Sequence, residues 1–347
     1  MRIFSYRNKQ ILRRVLLIVL CALLLAVAFV VARIVYLGRF AVYTADGRVY
    51  FDREQLLSRS PAAPAASPEG DYPFQTILDA ASEEQTPQAE SLQLRGVYIS
   101  TTMLANHLAE TRQALENLDE DCNAVLIDVK SPLGNFYYAT RLSGAQTADA
   151  DIEACTALMK SLIADRKLTV IARVPAFSDP NYIEQHDADA LALRAGGLWM
   201  DERRCYWMNP SAAGVQGYLT SIALELADMG FDEVLFDQFY VPEDSAIAWD
   251  DAVRTRAQAI NDCADALHAN LTGTSLLLSF GSESPDLAEY ASRLYITTEK
   301  ASDVQAVSQA LQPALGDLAP RLVFITSSHD THFDSYGIIR ALLSTEE

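Results

Sequence analysis

The chain has 347 residues, half of them hydrophobic, and carries 27 Lys and Arg against 46 Asp and Glu, a formal charge of −19. That length admits a full-size catalytic domain with accessory segments. The acidic excess disfavours nucleic acid and anionic lipid as partners, and with no Walker loop, GxGxxG fingerprint or GxSxG elbow in the chain, nucleotide and serine-hydrolase chemistry have no support and no cofactor is implied.

Residues 1–14 form a basic tail with Arg2, Arg7, Lys9, Arg13 and Arg14. Val15 to Ala32 is free of charge and, extended through Ile34–Leu37, is long enough to cross a bilayer, so residues 15–37 read as a signal anchor. Five basic residues before it against Arg33 and Arg39 after it place the N-terminus in the cytoplasm and the remainder outside, in a single-pass topology. Ala26-Val27-Ala28 offers an alternative, secretion after cleavage near Ala28, but the apolar run continues past it. Without the seven basic residues of 1–39, 20 basic residues face 46 acidic ones, a formal charge of −26 on the exported part. Cys21 lies in the apolar segment, while Cys122, Cys155, Cys205 and Cys263 lack motif spacing and read as free thiols.

Residues 38–58 contain Asp46-Gly47 between two β-prone runs, a hairpin signal. Residues 59–91 carry five prolines among Ala, Ser and Glu, a composition that buries no core and reads as a flexible linker. Residues 92–347 then alternate apolar strands with helical patterns. The strands are GVYIS from Gly96, AVLIDVK from Ala124, LTVIARVPAF from Leu168, EVLFD ending at Asp237, SLLLSFGSES, RLYITTEK and RLVFITSSHDTHFD. Helices are expected over Leu104–Leu118, Ile152–Ile163, Val215–Met229, Ala252–Leu271, Val304–Leu311 and Tyr336–Leu343. This alternation implies a parallel sheet with right-handed crossovers. Seven strands over this length predict a (β/α)8-type TIM barrel, distorted or one strand short, with a doubly wound open sheet as the alternative.

Six successive strands end in polar or charged groups, which marks the C-terminal rim where barrels build active sites. Asp128 and Lys130, two apart, are expected on one face; Arg173, Asp237, Glu283, Glu299, His329 and Asp330 occupy comparable strand ends. The His329-Asp330-Thr331-His332 run reads as a substrate-bonding or solvated loop rather than a metal site.

The succession RGVYIS, NAVLIDVK, IARVPAFSDP, GGLWMDERRCYWMNP and GFDEVLFDQFYVP resembles a bacterial glycoside hydrolase family of TIM-barrel fold, first described as a domain of unknown function, over about residues 94–244. The resemblance implies a carbohydrate-active protein and points to Asp128, Lys130, Arg173, Trp199, Trp207 and Asp237. The chain departs from the family at Gln238 and Tyr240, which stand where it usually has Tyr and Arg, at Leu278, where it usually has Asp, and at ITTEK, which replaces a Tyr-rich motif.

Glycoside hydrolysis takes two carboxyl groups, roughly 5 Å apart for retention or 6.5–9.5 Å for inversion. Asp237 is the first candidate, as nucleophile or base, with Asp128, Glu283 and Glu299 as candidate partners; Gly281-Ser282 suggests a mobile loop before Glu283. Asp128 can equally form a structural ion pair with Lys130 or Arg173. Trp199 and Trp207 share one loop and are expected to be sugar-stacking platforms rather than hydrophobic lids. Lys130, Arg173, Asn209, Gln238, Tyr240, His329 and Asp330 complete the substrate-binding candidates. A glycan-binding or envelope-organising barrel that has lost the reaction is the second reading.

Overall fold

The computed structural model describes residues 41–43, 49–51 and 92–343. In the N-terminal unit, β1 (Ala41–Tyr43) pairs antiparallel with β2 (Val49–Phe51), Val42 opposite Tyr50. The expected anchor at 15–37 and linker at 59–91 lie outside the described residues, among which no helix is long and apolar enough to cross a membrane.

In the second unit eight parallel strands close a barrel in chain order. They are β3 (Arg95–Ile99), β4 (Ala124–Asp128), β7 (Thr169–Pro175), β8 (Glu233–Asp237), β9 (Leu277–Gly281), β10 (Arg293–Thr297), β11 (Leu322–Ile325) and β12 (Gly337–Ala341). The loop after β4 adds a minor parallel pair, β5 (Asn135–Phe136) and β6 (Gln146–Thr147). Closure rules out the open sheet and the missing strand: β12, expected as a helix over 336–343, pairs with β11 at Val323↔Gly337 and with β3 from Ile338↔Arg95 to Ala341↔Tyr98. Its short GIIRALL run fits a helical period equally well, and what makes it a strand is pairing with a segment more than 200 residues earlier.

The main helices between strands are α1 (Thr101–Asn106), α2 (Leu108–Leu115), α3 (Ile152–Asp165), α4 (Pro180–Ile183), α5 (Ala213–Met229), α6 (Arg256–Leu271), α7 (Ala301–Leu315) and α8 (Leu318–Arg321). The first expected helix is split at His107, where φ of −133° leaves the helical region. At the end of α5, Gly230 adopts φ of 95° and its N–H bonds Leu226 and Ala227 carbonyls, stopping the helix and aiming the chain into β8.

Strand alternation separates two apolar clusters. Ile127, Val170, Val234, Phe236, Leu278, Phe280, Leu294 and Phe324 face the helices, while Leu126, Ile171, Leu235, Tyr295, Val323 and Ile339 fill the barrel interior, joined by Tyr98. At the N-terminal end of that interior Glu233 and Arg293 form a fully buried ion pair, 2.5 Å apart. Ser279 and Tyr295 donate to Glu233 Oε1 at 2.6 and 2.8 Å, and Arg293 Nε donates to the Pro320 carbonyl. With every charge bonded, this polar floor is tolerated in a low-dielectric interior.

Candidate active site

The same parity that turns Leu126, Ile171 and Leu235 inward carries Asp128, Arg173 and Asp237, two residues further along their strands, into the barrel at its C-terminal layer. Arg173 Nη2 and Nε donate to Asp237 Oδ2 at 2.6 and 3.0 Å, and Arg173 Nη1 stands 3.5 Å from Asp128 Oδ1. Since one guanidinium reaches both carboxylates, their nearest oxygens are under about 9 Å apart, no wider than the roughly 9.5 Å upper limit of glycosidic carboxyl pairs.

Tyr98 completes the cluster. Its hydroxyl donates to Asp128 Oδ2 and accepts from Arg173 Nη1 at 3.0 Å, and the guanidinium lies 5.4 Å from its ring centroid. Sequence reasoning keyed to charged strand ends misses Tyr98, yet alternation from Gly96 places it on the inner face, a signal the sequence does contain.

Side-chain exposures of 14% for Asp128, 17% for Asp237 and 18% for Arg173 leave the group reachable from the mouth. Burial raises the Asp128 pKa above the usual carboxylate range and Asp237 adds to it, against the lowering pull of Arg173 and the Tyr98 hydrogen bond. Burial pulls Arg173 down, but the Asp237 and Asp128 charges outweigh it and it ends raised. Tyr98 is raised by burial and then by Asp128, so it stays a phenol that can donate.

The remaining candidates fall elsewhere. Lys130 does not share the Asp128 face: β4 ends at Asp128, and Lys130 enters an antiparallel bridge with Phe136. Its ammonium is buried 2.9 Å from Asp179, whose other bonds come from Tyr218 Oη and the Tyr182 N–H, so it holds loops together and is closed to substrate.

Trp199 and Trp207 are 8% and 2% exposed, with Trp199 Nε1 donating to Asp244 and Trp207 Nε1 to Asp201. Neither indole offers a free face, which corrects the platform expectation. Glu299 accepts from the Ser327 N–H and hydroxyl and from Thr326, bonds that hold its pKa down and tie β10 to β11. A carboxylate so committed is a poor proton donor.

Glu283 is solvent-exposed two residues beyond Gly281, and Gly281 itself is a strand residue rather than part of a mobile loop. His329 is exposed, and Asp330 caps the turn at Thr331–Phe333 while bonding His332. Asn209 accepts from the Ser211 N–H in a local turn. Gln238, next to Asp237, adopts φ of 54° and buries an Oε1 that takes no hydrogen bond; backbone strain and an unsatisfied acceptor together are typical of functional positions. Leu278 faces the helices and takes no part in the inner face.

Residues 96–282 match a family described as "Putative glycosyl hydrolase domain". The chain belongs to this family. The matched segment of this glycosyl hydrolase domain contains Tyr98, Asp128, Arg173 and Asp237, the whole cluster. No curated protein matches the chain.

Among solved structures, an α-galactosidase from Lactobacillus brevis shares 12% identity at a TM-score of 0.50, covering 73% of this chain and 38% of that one, a likeness of fold. The chain thus spans well under half of that protein. A hypothetical protein from Ruminiclostridium thermocellum is 23% identical at a TM-score of 0.45, covering 52% of this chain and 96% of its own. The glycoside hydrolase domain of PelA from Pseudomonas aeruginosa is 14% identical at 0.45, covering 71% and 94%.

Proposed function

We propose that the protein is a glycoside hydrolase that cleaves a cell-surface or environmental glycan outside the cytoplasmic membrane, held there by an anchor over residues 15–37. One observation carries the catalytic reading: Arg173 joins Asp128 and Asp237 on the inner face of adjoining strands at the barrel's active rim. Asp128, with its raised pKa, is the acid that protonates the glycosidic oxygen as the bond to C1 breaks. Asp237 is the second carboxylate: it either takes the proton of the attacking water, or attacks C1 and is released by water in a second step. Arg173 fixes the distance between them, and Tyr98 keeps Asp128 oriented. No step needs a cofactor.

Incubating the full-length protein with a broad glycan panel tests this. Release of reducing ends by the wild type and its loss in Asp237→Asn and Asp128→Asn are expected. Binding without cleavage by the wild type, unchanged in Asp237→Asn, would replace hydrolysis by the glycan-binding reading. Membrane fractionation and external protease digestion of intact cells test the anchor, which fails if the barrel is recovered inside the cytoplasm.

A further inference from the structure

Burial of both loop tryptophans leaves the rim with a different aromatic surface. Trp199 and Trp207 meet edge to face at 5.9 Å, and Trp207 meets Tyr240 at 5.3 Å. Of these three rings Tyr240 is the outermost, 48% exposed where the other two are buried. The tier is fixed from behind, because Asp244 holds the Trp199 indole N–H and Asp201 the Trp207 one.

Tyr240 lies three residues beyond Asp237 in the loop that leaves β8. That loop is pinned by the Phe239 N–H on the Gly281 carbonyl at 3.3 Å and by the Tyr240 N–H on the Gln238 carbonyl at 3.0 Å. A flat ring already immobilised by packing loses little rotamer freedom on binding, which suits stacking against the C–H face of a pyranose. Among the charges acting on the Tyr240 hydroxyl, Arg203 comes first, ahead of Asp237 and Asp201, and Arg203 itself bonds Asp201 at 3.2 Å.

We propose that Tyr240 is the stacking platform of a glycan subsite beside Asp237, which takes the apolar face of a pyranose. The assignment rests on the hydrolase reading of Asp128 and Asp237.

The test uses the full chain in a detergent without a sugar headgroup, titrated with neutral hexaoses of β-1,4-linked glucose, xylose and N-acetylglucosamine and with hexagalacturonate. Wild type is expected to bind at least one of these hexaoses. Tyr240→Ala, and Tyr240→Leu, which keeps apolar bulk without a flat face, are expected to weaken that binding roughly two- to tenfold. Tyr240→Phe keeps it, and on a hexaose that is cleaved KM rises in the Ala and Leu variants with kcat little changed. Unchanged affinity in folded Tyr240→Ala and Tyr240→Leu, with turnover still lost in Asp237→Asn, overturns the platform and leaves the hydrolase reading standing. A wild type that neither binds nor cleaves any probe overturns both readings.

Discussion

Gly281 is empty of side chain where Asp237 places its carboxylate: a Cβ at position 281 would lie 2.3 Å from Asp237 Oδ1 and 3.0 Å from Asp237 Cα. The glycine of β9 is therefore part of what sets the Asp237 rotamer, although it touches no substrate. Gly281→Ala is expected to push Asp237 off Arg173 and lower kcat at least tenfold. Overpacking should cost about 1–3 kcal/mol of stability. Steady-state kinetics beside chemical denaturation check this, and a variant with wild-type turnover disproves the steric coupling.

Tyr98→Phe removes one hydroxyl that serves both Asp128 and Arg173. Its hydrogen bond lowers the Asp128 pKa, so its loss raises that pKa further. If Asp128 is the acid, the alkaline limb of the kcat/KM profile moves to higher pH while kcat falls, by about tenfold or more. A limb that stays in place or moves down argues against Asp128 as the proton donor.

Asp128 also makes a prediction about stability. Its pKa is raised in the folded state, so the native protein binds its proton more tightly than the unfolded chain does. Ionising it costs stability, a cost absent below the unfolded value of about 4 and growing as pH rises through the folded pKa. Asp128→Asn, inactive but neutral, is expected to melt above the wild type at pH 7, the difference vanishing near pH 3. Melting curves at the two pH values decide it.

Lys130 and Asp179 form a fully buried pair, so Lys130→Met leaves a buried carboxylate with only Tyr218 and the Tyr182 N–H as partners. About 3–5 kcal/mol of destabilisation is expected, with much of it recovered in Lys130→Met/Asp179→Leu. Denaturant titration of the two single variants and the double variant gives the coupling. Additive single effects would show that the pair carries no special energy.

How much of this the sequence discloses varies by residue. Asp128, Arg173 and Asp237 are legible because a run such as VLF before a carboxylate fixes both the strand and, by period two, the side it faces. Tyr98 obeys the same rule but ends no strand in a charge, so a reading keyed to charged ends passes over it. β12 is illegible locally, since its partners β3 and β11 are supplied by ring closure. The tryptophans show a different limit: their loop belongs to the rim, but whether an indole faces substrate or core depends on Asp201 and Asp244, and Asp244 lies 45 residues from Trp199. Alternation would put Lys130 on the Asp128 face only if the strand ran two residues further than it does.

The Glu233–Arg293 floor bears on traffic. With that end filled by bonded side chains and with Leu126, Ile171, Leu235 and Tyr295 stacked above it, the described residues leave the barrel interior open at its C-terminal rim. For the hydrolase proposed above, substrate, water and both products would then pass the same rim, and slow egress past the loops after β7 and β8 would limit turnover even with the two carboxylates unchanged.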